Sequence, residues 1–117
     1  MRAVVKGFHS PDVDLETFAP DDVDDFGILL QIMVGTADAP GEDWFDIMVC
    51  TPRWIGQDIE SKGPFIGRHT VLVNSYNFTE IRTFLTKIIE VEMASSWEEL
   101  ALKIGRIGRW EFEDYTP

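Results

Sequence analysis

The chain has 117 residues, of which 44% are hydrophobic and 12% aromatic, and its formal net charge is −11. This length fits one domain, and the hydrophobic fraction argues against disorder. The single cysteine, Cys50, excludes an intrachain disulfide, and neither a signal pattern at the start nor an apolar run of about 18 residues is present. We therefore expect one domain over residues 1–117, located in the cytoplasm.

The negative charge is concentrated near the start of the chain. Residues 1–46 contain eleven acids and two bases, residues 47–110 are close to neutral, and the last seven residues add three acids. A surface of this sign repels nucleic acid and anionic membranes, whereas it attracts a basic protein and speeds the encounter with it. Acids can also serve only to keep a small protein soluble, and charge alone leaves both interpretations open.

The first half of the chain predicts three strands and one long loop. Residues 2–8 predict the first strand, and the two prolines and seven acids of residues 10–25 predict an exposed loop. Residues 26–34 are almost all apolar, which indicates a central strand buried on both faces. Residues 44–51 alternate and predict a third strand that forms an antiparallel hairpin with the second. Four apolar residues are expected to hold the loop against the body: Val13, Leu15, Phe18 and Val23.

The second half predicts two strands and three helices. Residues 52–60 predict a short helix with proline in its first turn, residues 68–74 a fourth strand, and residues 109–115 a last strand at an edge. Between them the apolar period becomes helical, beginning near Asn77 and again near Ser96. This order favours an α+β fold, in which a mostly antiparallel sheet of about five strands carries the two helices of the C-terminal half.

Two short patterns mark the starts of these two helices. Asn77 is followed three residues later by Glu80, and Ser96 is followed in the same way by Glu99. In a capping box the side chain of the first residue accepts a hydrogen bond from the backbone N–H of the glutamate. The glutamate side chain in turn accepts one from the backbone N–H of the first residue. We therefore predict that both helices begin at these positions.

The sequence offers little for catalysis. It contains no His-Glu-x-x-His, no paired cysteines, no Gly-x-Ser-x-Gly and no phosphate-binding glycine pattern. His9 could form a metal site with Asp12 and Asp14, but we favour a solvated surface histidine. Cys50 could act as a nucleophile with His69, but we favour a buried thiol with a structural role. We predict no enzyme, no catalytic residue, no metal site and no cofactor.

Aromatic and basic residues suggest other roles. Trp97 and Trp110 lie on periodic segments and are expected in the core, whereas Trp54 is equally compatible with the core and with a protein interface. Arg68 and His69 could bind an anion, but we expect them to pair with an acid of the long loop.

Several segments resemble the bacterial immunity protein 8 family. They run in the same order over nearly the whole chain, and the last two together are the most specific: residues 8–16, residues 20–22 leading into residues 26–27, residues 49–54, residues 67–69, residues 96–99 and residues 109–115. The resemblance implies a cytoplasmic protein of a polymorphic toxin system, encoded beside a secreted toxin that it inactivates in the producing cell. It implies no catalytic residues and does not identify the toxin.

Charge and resemblance together predict a toxin-binding surface. A basic toxin, such as a nuclease, would complement the acids, and a tryptophan would supply an anchor excluded from water. The partner is therefore a cognate toxin protein rather than nucleic acid or a membrane, and the oligomeric state stays open. The predicted toxin-binding residues are Asp12, Asp14, Glu16, Asp21, Asp22, Asp24, Asp25, Trp54, Glu111, Glu113 and Asp114.

Three other hypotheses remain at this point. The first is an acidic mimic of nucleic acid that occupies a DNA-binding protein, although the near-neutral middle of the chain argues mildly against it. The second is a small metal-dependent enzyme centred on His9, His69 and the loop acids. The third is a structural subunit whose acids only confer solubility.

Overall fold

The computed structural model describes residues 1–115. Within these residues, five strands and three helices form an α+β fold with a mostly antiparallel sheet, as predicted. The elements in chain order are β1 (Val4–His9), β2 (Gly27–Gly35), β3 (Glu42–Cys50), α1 (Pro52–Lys62), β4 (Thr70–Leu72), α2 (Phe78–Glu90), α3 (Trp97–Ile104) and β5 (Arg109–Trp110).

The sheet has the strand order β1-β2-β3-β4, and β5 also pairs with β3. The predicted hairpin of β2 and β3 is confirmed, with Gly27 opposite Cys50 and Gly35 opposite Glu42. The exception to the antiparallel pattern is β4, which runs parallel to the end of β3, so the connection through α1 is a crossover. The pairing of β5 with β3 is antiparallel and involves Phe45 and Asp46.

One face of the sheet and two helices form the core. Side chains alternate along a strand, so the even residues of β2 and the odd residues of β3 share this face. The core residues of these strands are at most 3% exposed, and each contributes roughly 1.5–3 kcal/mol by leaving water. Helices α2 and α3 cover them with Ile81, Leu85, Ile89, Leu100, Ala101 and Ile104.

The helix starts agree with the predicted caps in part. Asn77 Oδ1 accepts from Glu80 N at 3.1 Å, and Ser96 Oγ accepts from Glu99 N at 3.2 Å. The Glu99 side chain does not bind Ser96 N but accepts from the hydroxyl of Ser95 at 2.6 Å and from its backbone N–H at 3.3 Å. These two hydrogen bonds lower the pKa of Glu99 below its usual value.

Several expectations need correction. The second strand is buried on one face only, because Leu29 and Met33 on its other face are partly exposed. The fourth and fifth strands are shorter than predicted, and residues 111–114 form a turn instead of continuing β5. Val23 does not pin the loop to the body, since it is 59% exposed.

Candidate functional site

The loop of residues 10–25, called the acidic loop below, is held by apolar contacts. Leu15 is buried, and the Phe18 ring lies edge-on to the Tyr76 ring at a centroid distance of 4.8 Å. The Tyr76 hydroxyl donates to Leu15 O at 2.6 Å, and burial, followed by the charges of Glu16 and Asp14, raises the pKa of this phenol. Burial of these side chains therefore orders the loop and fixes the position of its acids.

The first acids of the loop have structural contacts as well as charge. Asp12 Oδ2 accepts from Leu29 N at 2.8 Å, next to the end of β1, and Asp14 Oδ1 accepts from Glu16 N at 3.0 Å. These three acids line an open groove of about 860 Å³ between β1, the acidic loop and α2, where Arg82 stands over the Phe78 ring.

The later acids of the loop surround one arginine. Arg53, at the start of α1, lies 3.1 Å from Asp24, 3.5 Å from Asp22 and 3.9 Å from Asp25. Asp21 is exposed beside them. The side chains of Arg53, Asp22 and Asp24 are more than half exposed, so water screens the attraction, and four acids around one arginine leave the group with a net negative charge.

Trp54 is half-buried and covers the end of the sheet. A Cβ atom on Gly27 would lie 2.4–2.6 Å from three atoms of the indole ring, so the ring lies directly on the glycine backbone. None of the eleven residues of α1, all of which the structure describes, is buried. Trp54 therefore fixes this helix to the sheet and presents only part of its surface to a partner.

The acids of the C-terminal turn lie at the β5 side of the sheet. Glu111 Oε1 accepts from Trp44 N at 3.2 Å, and Glu113 receives two hydrogen bonds from Arg68, at 2.8 and 3.0 Å. Asp114 follows with a positive φ of 65°. The expected pairing of Arg68 with the long loop is thus wrong, because its partner is this turn.

The two histidines lie at opposite sides of the sheet and do not form a common site. His9 ends β1, whereas His69 precedes β4 at the other side of the sheet, and its Nε2 is 2.7 Å from Gly105 O. Burial raises the pKa of the Cys50 thiol, with a smaller contribution from Asp58, so the thiol is a poor nucleophile. Among residues 1–115, no three potential ligands converge on a geometry suited to a metal ion.

A second surface was missed by reasoning from the sequence. The face of the sheet opposite α2 and α3, called the open face below, consists of half-buried residues at the centre of β2 and β3. The register places Leu29 beside Met48 and Met33 beside Trp44, and the His9 ring contacts Trp44 at a centroid distance of 6.1 Å. The residues of the open face are Leu29, Gln31, Met33, Trp44, Asp46 and Met48.

Helix α1 lies over the end of the sheet at which Gly27 pairs with Cys50. The Trp54 ring lies on Gly27, and the charge of Asp58 contributes to the raised pKa of the Cys50 thiol. The sequence did contain a signal for this surface, because apolar residues occur on both faces of β2. Local pattern could not distinguish a face covered by this chain from one left partly exposed.

Within residues 1–115, no helix is long and apolar enough to cross a membrane.

No protein of curated function and no solved structure shows significant similarity to the chain. The model of one family, described as Immunity protein 8, matches residues 3–115, which include all three helices, all five strands and the acidic loop. The chain therefore belongs to the immunity protein 8 family.

Proposed function

We propose that this chain binds and neutralises a cognate secreted bacterial toxin domain in the cytoplasm of the producing cell. The observation that carries the proposal is the family match, which spans nearly the whole chain. Binding, rather than catalysis, is the mode of action. The toxin surface that it contacts is basic, as a nuclease surface often is, because a net charge of −11 favours such a partner.

The acids have their main effect before contact. A carboxylate that accepts a local hydrogen bond, such as Asp12, still contributes its charge to the field around the protein. The acidic loop and the C-terminal turn both carry such groups, and the acids of both segments attract the toxin. Long-range attraction of this kind raises the association rate and weakens as salt screens it.

The direct test is rescue of cells that express the toxin. The toxic domain encoded beside this gene is expressed with and without the chain, and the purified pair is titrated by calorimetry. We expect survival together with one-to-one binding at nanomolar concentration. If cells die although the chain is folded and abundant, the proposed function is wrong. Capture of a DNA-binding protein that added DNA releases would favour nucleic-acid mimicry instead.

The contribution of the acidic loop is tested by association kinetics. Replacing Asp21, Asp22, Asp24 and Asp25 by asparagine should slow association roughly tenfold at low salt and less at high salt. The control changes net charge equally but elsewhere, by replacing Glu60, Glu80, Glu92 and Glu98 with glutamine. Equal slowing by both variants would show that total charge matters and that the loop has no special position.

A further inference from the structure

Two neighbouring strands carry large apolar side chains on the face that no core helix covers. Leu29 and Met33 on β2 meet Met48 and Trp44 on β3, and all four are half-buried. A sheet with one solvated face ordinarily places polar residues there, since exposed apolar groups gain nothing from folding. The composition of this face is therefore that of a surface that a partner removes from water.

The individual side chains are suited to an interface. Tryptophan and methionine are both enriched at the centres of protein interfaces, and the flexible methionine side chain adapts to the shape of a partner. The Met33 side chain lies along β1, where its Cε is 2.7 Å from the position that a Cβ on Gly7 would take. The small residue thus lets the apolar surface extend toward β1.

The charges on and around the open face determine the kind of partner. Asp46 lies at its centre and Glu42 at the hairpin end of the same strand. At opposite sides, Asp12 binds the backbone of Leu29 and Glu111 binds that of Trp44. Two basic residues belong to this group: Arg109, opposite Asp46 in the register, and Lys6, whose side chain lies over Gly35 at the hairpin end. Four acids against two bases favour a basic surface with an apolar centre.

We propose that the open face, centred on Trp44 and Met48, is the surface on which a basic face of the toxin domain docks. The proposal rests on the proposed function and assigns two roles to two regions. The acidic loop speeds the encounter, and the open face supplies the contact that is removed from water and therefore sets the dissociation rate.

The methionines of the chain provide a test on the unmodified protein. Met33 and Met48 belong to the open face, whereas Met93, which is 57% exposed, lies beside the end of α2 and is the control. The chain is exposed to hydroxyl radicals alone and with the toxin domain encoded beside its gene. In the complex we expect Met33 and Met48 to oxidise at least about fivefold more slowly, and Met93 at an unchanged rate.

The outcomes separate this proposal from the proposed function. If calorimetry shows a complex but Met33 and Met48 oxidise as fast as in the free chain, the toxin docks elsewhere and only the docking surface is wrong. Equal protection of Met93 would also contradict docking on this face. If no complex forms at all, the proposed function itself fails.

A pair of variants gives an independent readout. Met48→Lys places a positive charge at the centre of the open face, and we expect dissociation at least about tenfold faster, with association changed by less than about twofold. Leu102→Lys is the matched control, because Leu102 is 62% exposed on α3 at the other side of the molecule. Unchanged dissociation of a folded Met48→Lys chain would overturn the proposal, as would an equal effect of the control.

Discussion

Both faces of the sheet carry apolar side chains, but they differ in what covers them. On one face, α2 and α3 bury Leu30, Ile32 and Phe45 almost completely. On the other, Leu29 and Trp44 stay half-buried, and the Trp54 ring of α1 lies on Gly27 at the end of the sheet. Folding of this chain needs the first face, so the apolar character of the second is better explained by an association.

The difference between the faces can be measured with two adjacent leucines. Leu30→Ala should lower the free energy of unfolding by about 2–5 kcal/mol, because Leu30 is 1% exposed and its removal leaves a cavity. Leu29→Ala should cost only about 1 kcal/mol, because water already reaches that side chain. Urea unfolding followed by tryptophan fluorescence gives both values. Equal losses would mean that the open face is as well covered as the core.

The contact between the Trp54 ring and the sheet can be disrupted at Gly27. Alanine there would place a Cβ within 2.6 Å of the Trp54 ring and displace it, at a cost of about 1–3 kcal/mol. In a Trp54→Ala background the same change should be nearly neutral. A double-mutant cycle of unfolding free energies measures the coupling. Additive effects would show that the ring does not press on this glycine.

The two faces of β3 also differ in the roles of their acids. Asp43 Oδ2 accepts from Trp97 Nε1 at 2.7 Å and from Trp110 Nε1 at 3.0 Å, so one carboxylate holds α3 and β5 to the strand. Asp43→Ala should cost about 1–2 kcal/mol of unfolding free energy. Asp46→Ala, on the open face, should change it by less than about 0.5 kcal/mol. A larger loss at Asp46 would assign it a structural role.

Local pattern predicted those parts of the fold that depend on near neighbours. The alternation of β3, the hairpin with β2 and the backbone caps at Asn77 and Ser96 all involve residues close in sequence, and the structure confirms them. Trp97 and Trp110 pack against the core, as expected. Their shared acceptor, Asp43, lies 54 and 67 residues away and left no local signal.

Pairings over long distances account for what was missed. The parallel pairing of β4 depends on where α1 returns the chain, and the pairing of Arg68 with Glu113 depends on how β5 lies beside β3. The apolar periodicity of the sequence gives no signal for either pairing. For the same reason, the continuous apolar character of β2 suggested burial on both faces, although only the position of the helices decides which face is covered.

Another small effect is expected where the acidic loop meets α1, at the covered end of the open face. Arg53 faces three aspartates, but its side chain is 51% exposed, and such surface ion pairs contribute little. Arg53→Gln should therefore lower the free energy of unfolding by less than about 1 kcal/mol. Phe18→Ala should cost about 3 kcal/mol, because that ring contacts both Phe26 and Tyr76.

Thermal unfolding of these two variants at low and high salt separates charge from apolar contact at this boundary. The Arg53→Gln effect should shrink as salt rises, whereas the Phe18→Ala effect should persist. If Arg53→Gln instead destabilised the chain as strongly as Phe18→Ala, the ion pairs would order the loop. The aspartates around Arg53 would then serve the stability of the fold. A small effect leaves their charge available for the toxin, because apolar contacts and the hydrogen bonds of Asp12 and Leu15 then hold the loop without these ion pairs.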